Sequence, residues 1–346
     1  MTRNKLKVLA LGGALAAAML AGLSACSTAP AAPAGNSTMN DPRLVPSRSY
    51  AVLEAPSNLG LRRPDSRREP GVRRLPEALE AAGFSRRIGA SRAGRVEPPP
   101  YTGEIDPATG IREAPEIRDY SLRLAEAVGR VLDEGRFPVV LGGDCSILLG
   151  NMLALHRRGR YGLIFLDAHT DLATPELSGT KAAAGMDLAL TLGIGPPLLS
   201  RLDPQAPLVR AEDVAMLGLR GLNPEWSQRI TDTGVVFHDL EALRRQGIAE
   251  TVRTELERLE RQGVEGFWIH LDADVLDDAV MPAVDSRQPG GLSLAELTAV
   301  LRELLRSPRA AGLHIGIYDP DLDPTGQYGR GLTDALVAAL HEPPRR

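Results

Sequence analysis

Asp167, His169 and Asp171 occupy alternate positions in "YGLIFLDAHTDLATPE", immediately after an apolar run. In extended chain, residues two and four apart project to the same side. Two carboxylates and an imidazole presented together suit a hard or borderline divalent ion such as manganese. A second stretch, "GFWIHLDADVLDD", repeats the arrangement with Asp272 and Asp274, and Asp277 and Asp278 follow closely. Carboxylates gathered at neighbouring strand ends repel one another unless cations neutralise them. Either cluster alone is weak, because aspartate is common in loops. Together, and with "GGDCS" placing Cys145 beside a third glycine-closed strand, they point to one or two bound metals.

These side chains need a scaffold that ends several strands at one place. Short apolar runs supply it: "YAVLEA" (50–55), "FPVVL", "YGLIFL", "VAMLGL", "GVVFHDL", "GFWIHLD" and "AGLHIGIYDP". Helical spacing fills the gaps between them, notably at 116–135, 242–262 and 293–306. Apolar strands alternating with helices give an α/β fold, a three-layer α/β/α domain with a mostly parallel central sheet. In such sheets ligands bind beyond the carboxyl ends of the strands, where all three polar motifs fall. There is no internal repeat.

The chain has 346 residues, 43% hydrophobic and 24% charged, which is ordinary for a globular protein. A formal net charge of −4 argues against a nucleic-acid surface. The N-terminus differs in kind. A basic start (Arg3, Lys5, Lys7) and an apolar run from Val8 to Leu23 precede "LSAC", reading as an export signal over residues 1–25. "LSAC" resembles the lipobox of bacterial lipoproteins, which implies lipid on Cys26 and a membrane-anchored protein facing the periplasm or cell exterior. Residues 26–48, rich in Ala, Pro and Ser, read as the lipidated cysteine and a flexible tether, and 49–346 as the catalytic domain. If Cys26 carries lipid, Cys145 has no partner in its own chain; burial, metal ligation or catalysis would each account for it.

The order and spacing of the three motifs resemble the ureohydrolase family of arginases and agmatinases. "PSNLGLR", "AAAGMDLAL", "MPAVDSRQPGGLS" and "PDLDP" extend the likeness over roughly residues 49–340. The resemblance implies an arginase-like fold and two divalent ions, most often manganese, bridged by a hydroxide that attacks a guanidinium carbon. It further implies that Asp167 and Asp272 bridge the ions, that His169 and Asp274 bind one, and that Asp171 binds the other. That second ion normally also takes a histidine from "GGDHS", where this chain has Cys145, a softer ligand better suited to zinc or iron. Asp277 corresponds to an aspartate that orients the hydroxide.

The arginine-binding residues do not carry over. Ala184 stands at the proton-shuttling histidine, Ile317 at the glutamate that grips the guanidinium, Ala173 at an asparagine for the amino-acid end, and Gly221 at an aspartate. Asp187 and Asp319 are candidate replacements that would contact substrate. The leading expectation is therefore a metal-dependent hydrolase of linear C–N bonds in a small guanidine- or amidine-like molecule other than arginine. It would release urea or a related product, and the family's habit of assembly suggests a homo-oligomer. The alternatives are a catalytically weak metal-binding lipoprotein on the same fold and a metal-dependent deacylase.

Overall fold

The computed structural model describes residues 48–341. The signal assigned to residues 1–25 and the tether assigned to 26–48 lie outside them, except for Arg48. Among the described residues no helix is long and apolar enough to cross a membrane.

Eight strands form one sheet in the order β2-β1-β3-β8-β7-β4-β5-β6. They are β1 (Tyr50–Glu54), β2 (Ser91–Arg95), β3 (Phe137–Leu141), β4 (Tyr161–Leu166), β5 (Val214–Leu219), β6 (Val236–Asp239), β7 (Gly266–Asp272) and β8 (Ala310–Gly316). Every pairing within the sheet is parallel, so all strands open at one edge. β3, β5 and β7 are buried along their whole length and β4 from Gly162 onward, as expected where helices cover both faces. Their side chains alternate between two cores: Val139, Leu141 and Ile164 enter one, Val140, Leu163 and Phe165 the other.

One face is covered by α1 (Ala114–Asp133) and α2 (Ile147–His156), the other by α3 (Ile248–Gln262), α4 (Leu294–Arg306) and α5 (Gln327–Leu340). Local chemistry sets their ends. Ser293 and Glu296 form a reciprocal capping box at the start of α4. The helical pattern read as continuous over 242–262 is broken at Gly247, whose φ of 91° no helix accommodates; Leu240–Gln246 forms a separate helix. β2 carried no sequence signal. It is an edge strand of exposed Ser, Arg and Gly, and backbone pairing with β1 makes it a strand.

The order β3-β8-β7-β4 is what builds the site. Leu271 pairs with Leu166 and Leu141 with Ile315, bringing "GGDCS", "DAHTD" and "DAD" side by side. The two glycines after β3 are steric requirements. A Cβ on Gly143 would sit 1.6 Å from the Ser57 carbonyl oxygen, and one on Gly142 would meet Ile147 at 2.2 Å.

Candidate metal centre and cavity

Asp167 and Asp272 stand next to each other where β4 and β7 open, each almost fully buried. Each carboxylate folds back on its own turn. Asp167 Oδ1 accepts the His169 N–H at 2.6 Å, and Asp272 Oδ1 accepts that of Asp274 at 2.7 Å. The i, i+2 spacing is thus both a strand-end periodicity and a turn that aims the next donor.

His169 Nδ1 lies 2.9 Å from Asp274 Oδ2 and 3.6 Å from Asp167 Oδ1. Its Nε2 meets the Gln288 amide at 2.9 Å. Burial opposes a charge on the imidazole, but the two carboxylates outweigh it and push its pKa up to about 11. Asp167 is correspondingly held down to about 2, burial being outweighed by His169 and His270. Asp272, Asp274 and Asp171 are all raised, first by burial and then by neighbouring carboxylates, Asp167 among them in each case. Four acids and one cationic ring can all be ionised in a dry site only with further cations beside them; otherwise some must hold protons.

Cys145 is buried, and its thiol donates to Asp272 Oδ2 at 2.9 Å. Burial and the surrounding carboxylates push its pKa well up, so it stays a thiol until a metal displaces the proton. The structure thus joins two of the three sequence explanations, burial and nearness to a metal site. Three donor groups, each with its atoms within 4.8 Å of one another, occur here: Asp167–His169–Asp274, Cys145–Asp167–His270–Asp272 and Cys145–Asp171–Asp187. Asp167 Oδ2, both oxygens of Asp187 and both ring nitrogens of His270 are buried without hydrogen-bond partners. Unpartnered buried donors of oxygen, nitrogen and sulfur type are what a pair of divalent ions would satisfy; the residues fit the group.

A cavity of about 590 Å³ opens above these residues. Cys145, His169, Asp171, Asp272 and Asp274 form its floor, and Ile317, Asp319, Asp285 and Ala173 stand along its wall. Ile317 is held at φ 72° between a Gly316 carbonyl and a Tyr318 N–H 2.9 Å apart, while its own N–H donates to Gly143 at 2.7 Å. A β-branched residue in that region costs about 1–3 kcal/mol, and the conformation brings an apolar wall to the reaction space.

The remaining candidates divide. Asp319 lines the cavity, but its oxygens already accept the N–H groups of Gly71 at 3.1 Å and Asp321 at 2.8 Å. Asp277 does not line the cavity. Its carboxylate accepts N–H groups from Ala279, Gly290 and Gly291, which tie a turn to a loop and lower its pKa. Asp187 does not line the cavity either. It is fully buried and stands in the donor group with Cys145 and Asp171.

Sequence reasoning missed Arg220. Its guanidinium donates to the carbonyls of Asp274, Val275, Leu276 and Gln288 at 2.6 to 3.1 Å. It clamps the "DADVL" turn to the loop that carries Gln288. No sequence pattern marks an arginine bound for backbone carbonyls 54 to 68 residues away.

The sequence matches the Arginase family over residues 49–341. It is 29% identical to the arginase of Staphylococcus aureus strain COL over 284 residues, covering 80% of this chain and 91% of that one. The native arginase structure from Bacillus caldovelox superimposes with a TM-score of 0.77 at 25% identity, over 86% of this chain and 99% of that one. The formimidoylglutamase of Bacillus subtilis shares the fold at a TM-score of 0.67 and 20% identity, over 85% and 86% of the two chains. A match over nearly all the described residues shows that this chain belongs to the Arginase family and is an amidinohydrolase-like metallohydrolase.

Proposed function

We propose that the protein hydrolyses a C–N bond in a small guanidine- or amidine-bearing molecule other than arginine, using two divalent ions. Manganese suits Asp167, His169 and Asp274, and a softer ion such as zinc or iron suits the Cys145 side. When bound, such ions lower the pKa of a water and polarise the carbon under attack. The chain's own residues set the stage. Asp167 and Asp274 fix the His169 ring between them, and Arg220 holds the turn that aims Asp272 and Asp274.

The observation that carries the substrate reading is Ile317. A buried aliphatic side chain stands on the cavity wall where the resemblance places a guanidinium-gripping carboxylate, and it can neither pair with nor hydrogen-bond to a guanidinium. Glu69, Asp285, Asp319 and Asp321 also line the cavity outside the floor, but none of them occupies the position of Ile317. Selectivity for substrates less cationic than arginine follows.

The test is a panel of guanidino acids, amidines, formimino compounds and acyl-amines offered to the manganese- or zinc-loaded protein, with urea, ammonia and amine release recorded. Turnover of an amidine or guanidine above arginine supports the reading. Turnover of acyl-amines alone overturns it, as does preference for arginine. Export and lipid anchoring through Cys26 belong to the same proposal. Intact mass and detergent partitioning of the protein made in a bacterial host test it: an unmodified Cys26 in the mature chain is the contrary outcome.

A further inference from the structure

Asp187 has no role in the reading above. It is fully buried, and neither of its oxygens makes a well-formed hydrogen bond, although the Leu188 N–H and the Asp171 carboxyl lie near them. His270 Nδ1 faces its Oδ2 at 3.9 Å, beyond hydrogen-bonding reach. His270 is also fully buried, stacks on Phe165 at a centroid distance of 4.0 Å, and leaves both nitrogens unpartnered. An ionised carboxylate with no partner in a dry interior costs several kcal/mol. Something must neutralise Asp187, or it is a neutral acid.

The geometry offers a neutraliser. Asp187 offers an oxygen that, with Cys145 Sγ and an oxygen of Asp171, lies in a group of donor atoms all within 4.8 Å of one another. We infer that Asp187 is a direct metal ligand, completing with Cys145 and Asp171 the position where the family resemblance supplies a histidine. The inference rests on the proposed metal centre and deepens it. One thiolate and two carboxylates give a more negative field than an imidazole and one carboxylate, and the thiolate biases the position towards tetrahedral zinc or cobalt. The substitution of cysteine for histidine and the presence of a buried aspartate behind it then form one device rather than two oddities.

Asparagine separates the two explanations of Asp187, because it mimics a neutral acid and cannot replace an anionic ligand. The full chain, stripped by chelation, is titrated with cobalt(II), and binding is read by elemental analysis and by thiolate-to-cobalt charge-transfer absorption. Wild type is expected to bind two ions and to show the charge-transfer band. Asp187→Asn should weaken the cobalt that carries the band by about 100-fold or more, beyond what loss of an outer-shell partner costs, while retaining the other ion. His169→Ala should do the reverse and keep the band. Thermal melting of the metal-free proteins guards against misfolding: Asp187→Asn should melt no lower than wild type, since it removes an unpaired buried carboxylate.

Equal affinity and an equal band in wild type and Asp187→Asn overturn the role of Asp187 alone. Two cobalt ions without a charge-transfer band overturn the thiolate position. Absence of cobalt uptake by wild type sinks the metal reading of the whole site.

Discussion

The floor of the cavity and its wall lie at the same edge of one sheet, yet they differ in kind. The floor is a dry set of aspartates with a histidine and a cysteine, held at the ends of β3, β4 and β7 by turns whose carboxylates accept their own backbone N–H groups. The wall is made by loops, and the residues there are Ile317, Ala173, Ala184 and Gly221 where the resemblance implies arginine-binding groups. Strand ends in a fully buried parallel sheet cannot shift without disturbing two cores, whereas loops can change their side chains at little cost. The chemistry is therefore fixed by the scaffold and the substrate by what the loops present.

The largest expected effect lies in the floor. Asp272→Ala removes the carboxylate that meets Cys145 and anchors the Asp274 turn. Hydrolysis should fall by on the order of 10³-fold or more, the scale of losing several kcal/mol of metal-based stabilisation, and metal content should fall with it. Retained turnover and metal would mean that the floor is not the reaction centre. On the wall, Ile317→Glu should raise kcat/KM for guanidinium substrates relative to neutral amidines by about 10–100-fold, the worth of one charge-assisted hydrogen bond. The wall is a poor selector if the ratio stays put. Unbranched glutamate relieves part of the strain of φ 72° at this position, but it exchanges a buried aliphatic side chain for a carboxylate, so the metal-free variant should melt below wild type.

Arg220 joins the two regions. Its four carbonyl contacts span the floor turn and the Gln288 loop. Arg220→Gln keeps a shorter donor but loses the fork. Manganese affinity should drop by about 10–100-fold, as for other groups that orient ligands without binding the ion. Equilibrium dialysis against manganese checks it; an unchanged affinity would make the arginine a mere loop tie.

How much of this was legible beforehand follows the same division. The strands carrying the floor announce themselves as short apolar runs closed by Gly or Asp, so β3, β4 and β7 and the donors just past them were readable. β2 was not, because an exposed edge strand of Ser, Arg and Gly has no burial pattern and exists through pairing. Asp187 and Asp277 illustrate the limit from the other side. Both are aspartates next to a site motif, and one-dimensional spacing treats them alike. Only the fold shows that Asp277 is consumed by three backbone N–H groups while Asp187 is buried beside Cys145 and Asp171 with no well-formed hydrogen bond. His314 was unreadable for a similar reason. The indole N–H of Trp268 donates to its Nδ1 at 2.7 Å, so the ring is a neutral core group with its proton on Nε2.

The smallest expected effect tests whether the loop end is coupled to the floor at all. Glu296 closes the capping box with Ser293 and receives Arg244 at 2.7 and 3.0 Å. Arg244 also holds the Gly291 carbonyl at 2.8 Å, just beyond the loop that sets Gln288 against His169. The Arg244 bond, opposed by partial burial and aided by Ser293, lowers the Glu296 pKa to about 2 from an ordinary 4.5. A carboxylate depressed by folding contributes stability that is complete above the unfolded pKa and is lost as pH falls through the folded one. The contribution should thus be whole at neutral pH and disappear between about pH 4.5 and 2. Because the pair is largely exposed, the cap rather than the ion pair sets its size: Glu296→Ala should cost about 1 kcal/mol at pH 7 and almost nothing at pH 2. Urea unfolding at the two pH values measures the difference. If it is the same at both, the cap does not depend on the charge. If manganese binding also weakens in this variant, α4 and the Gln288 loop are part of what holds His169 in place.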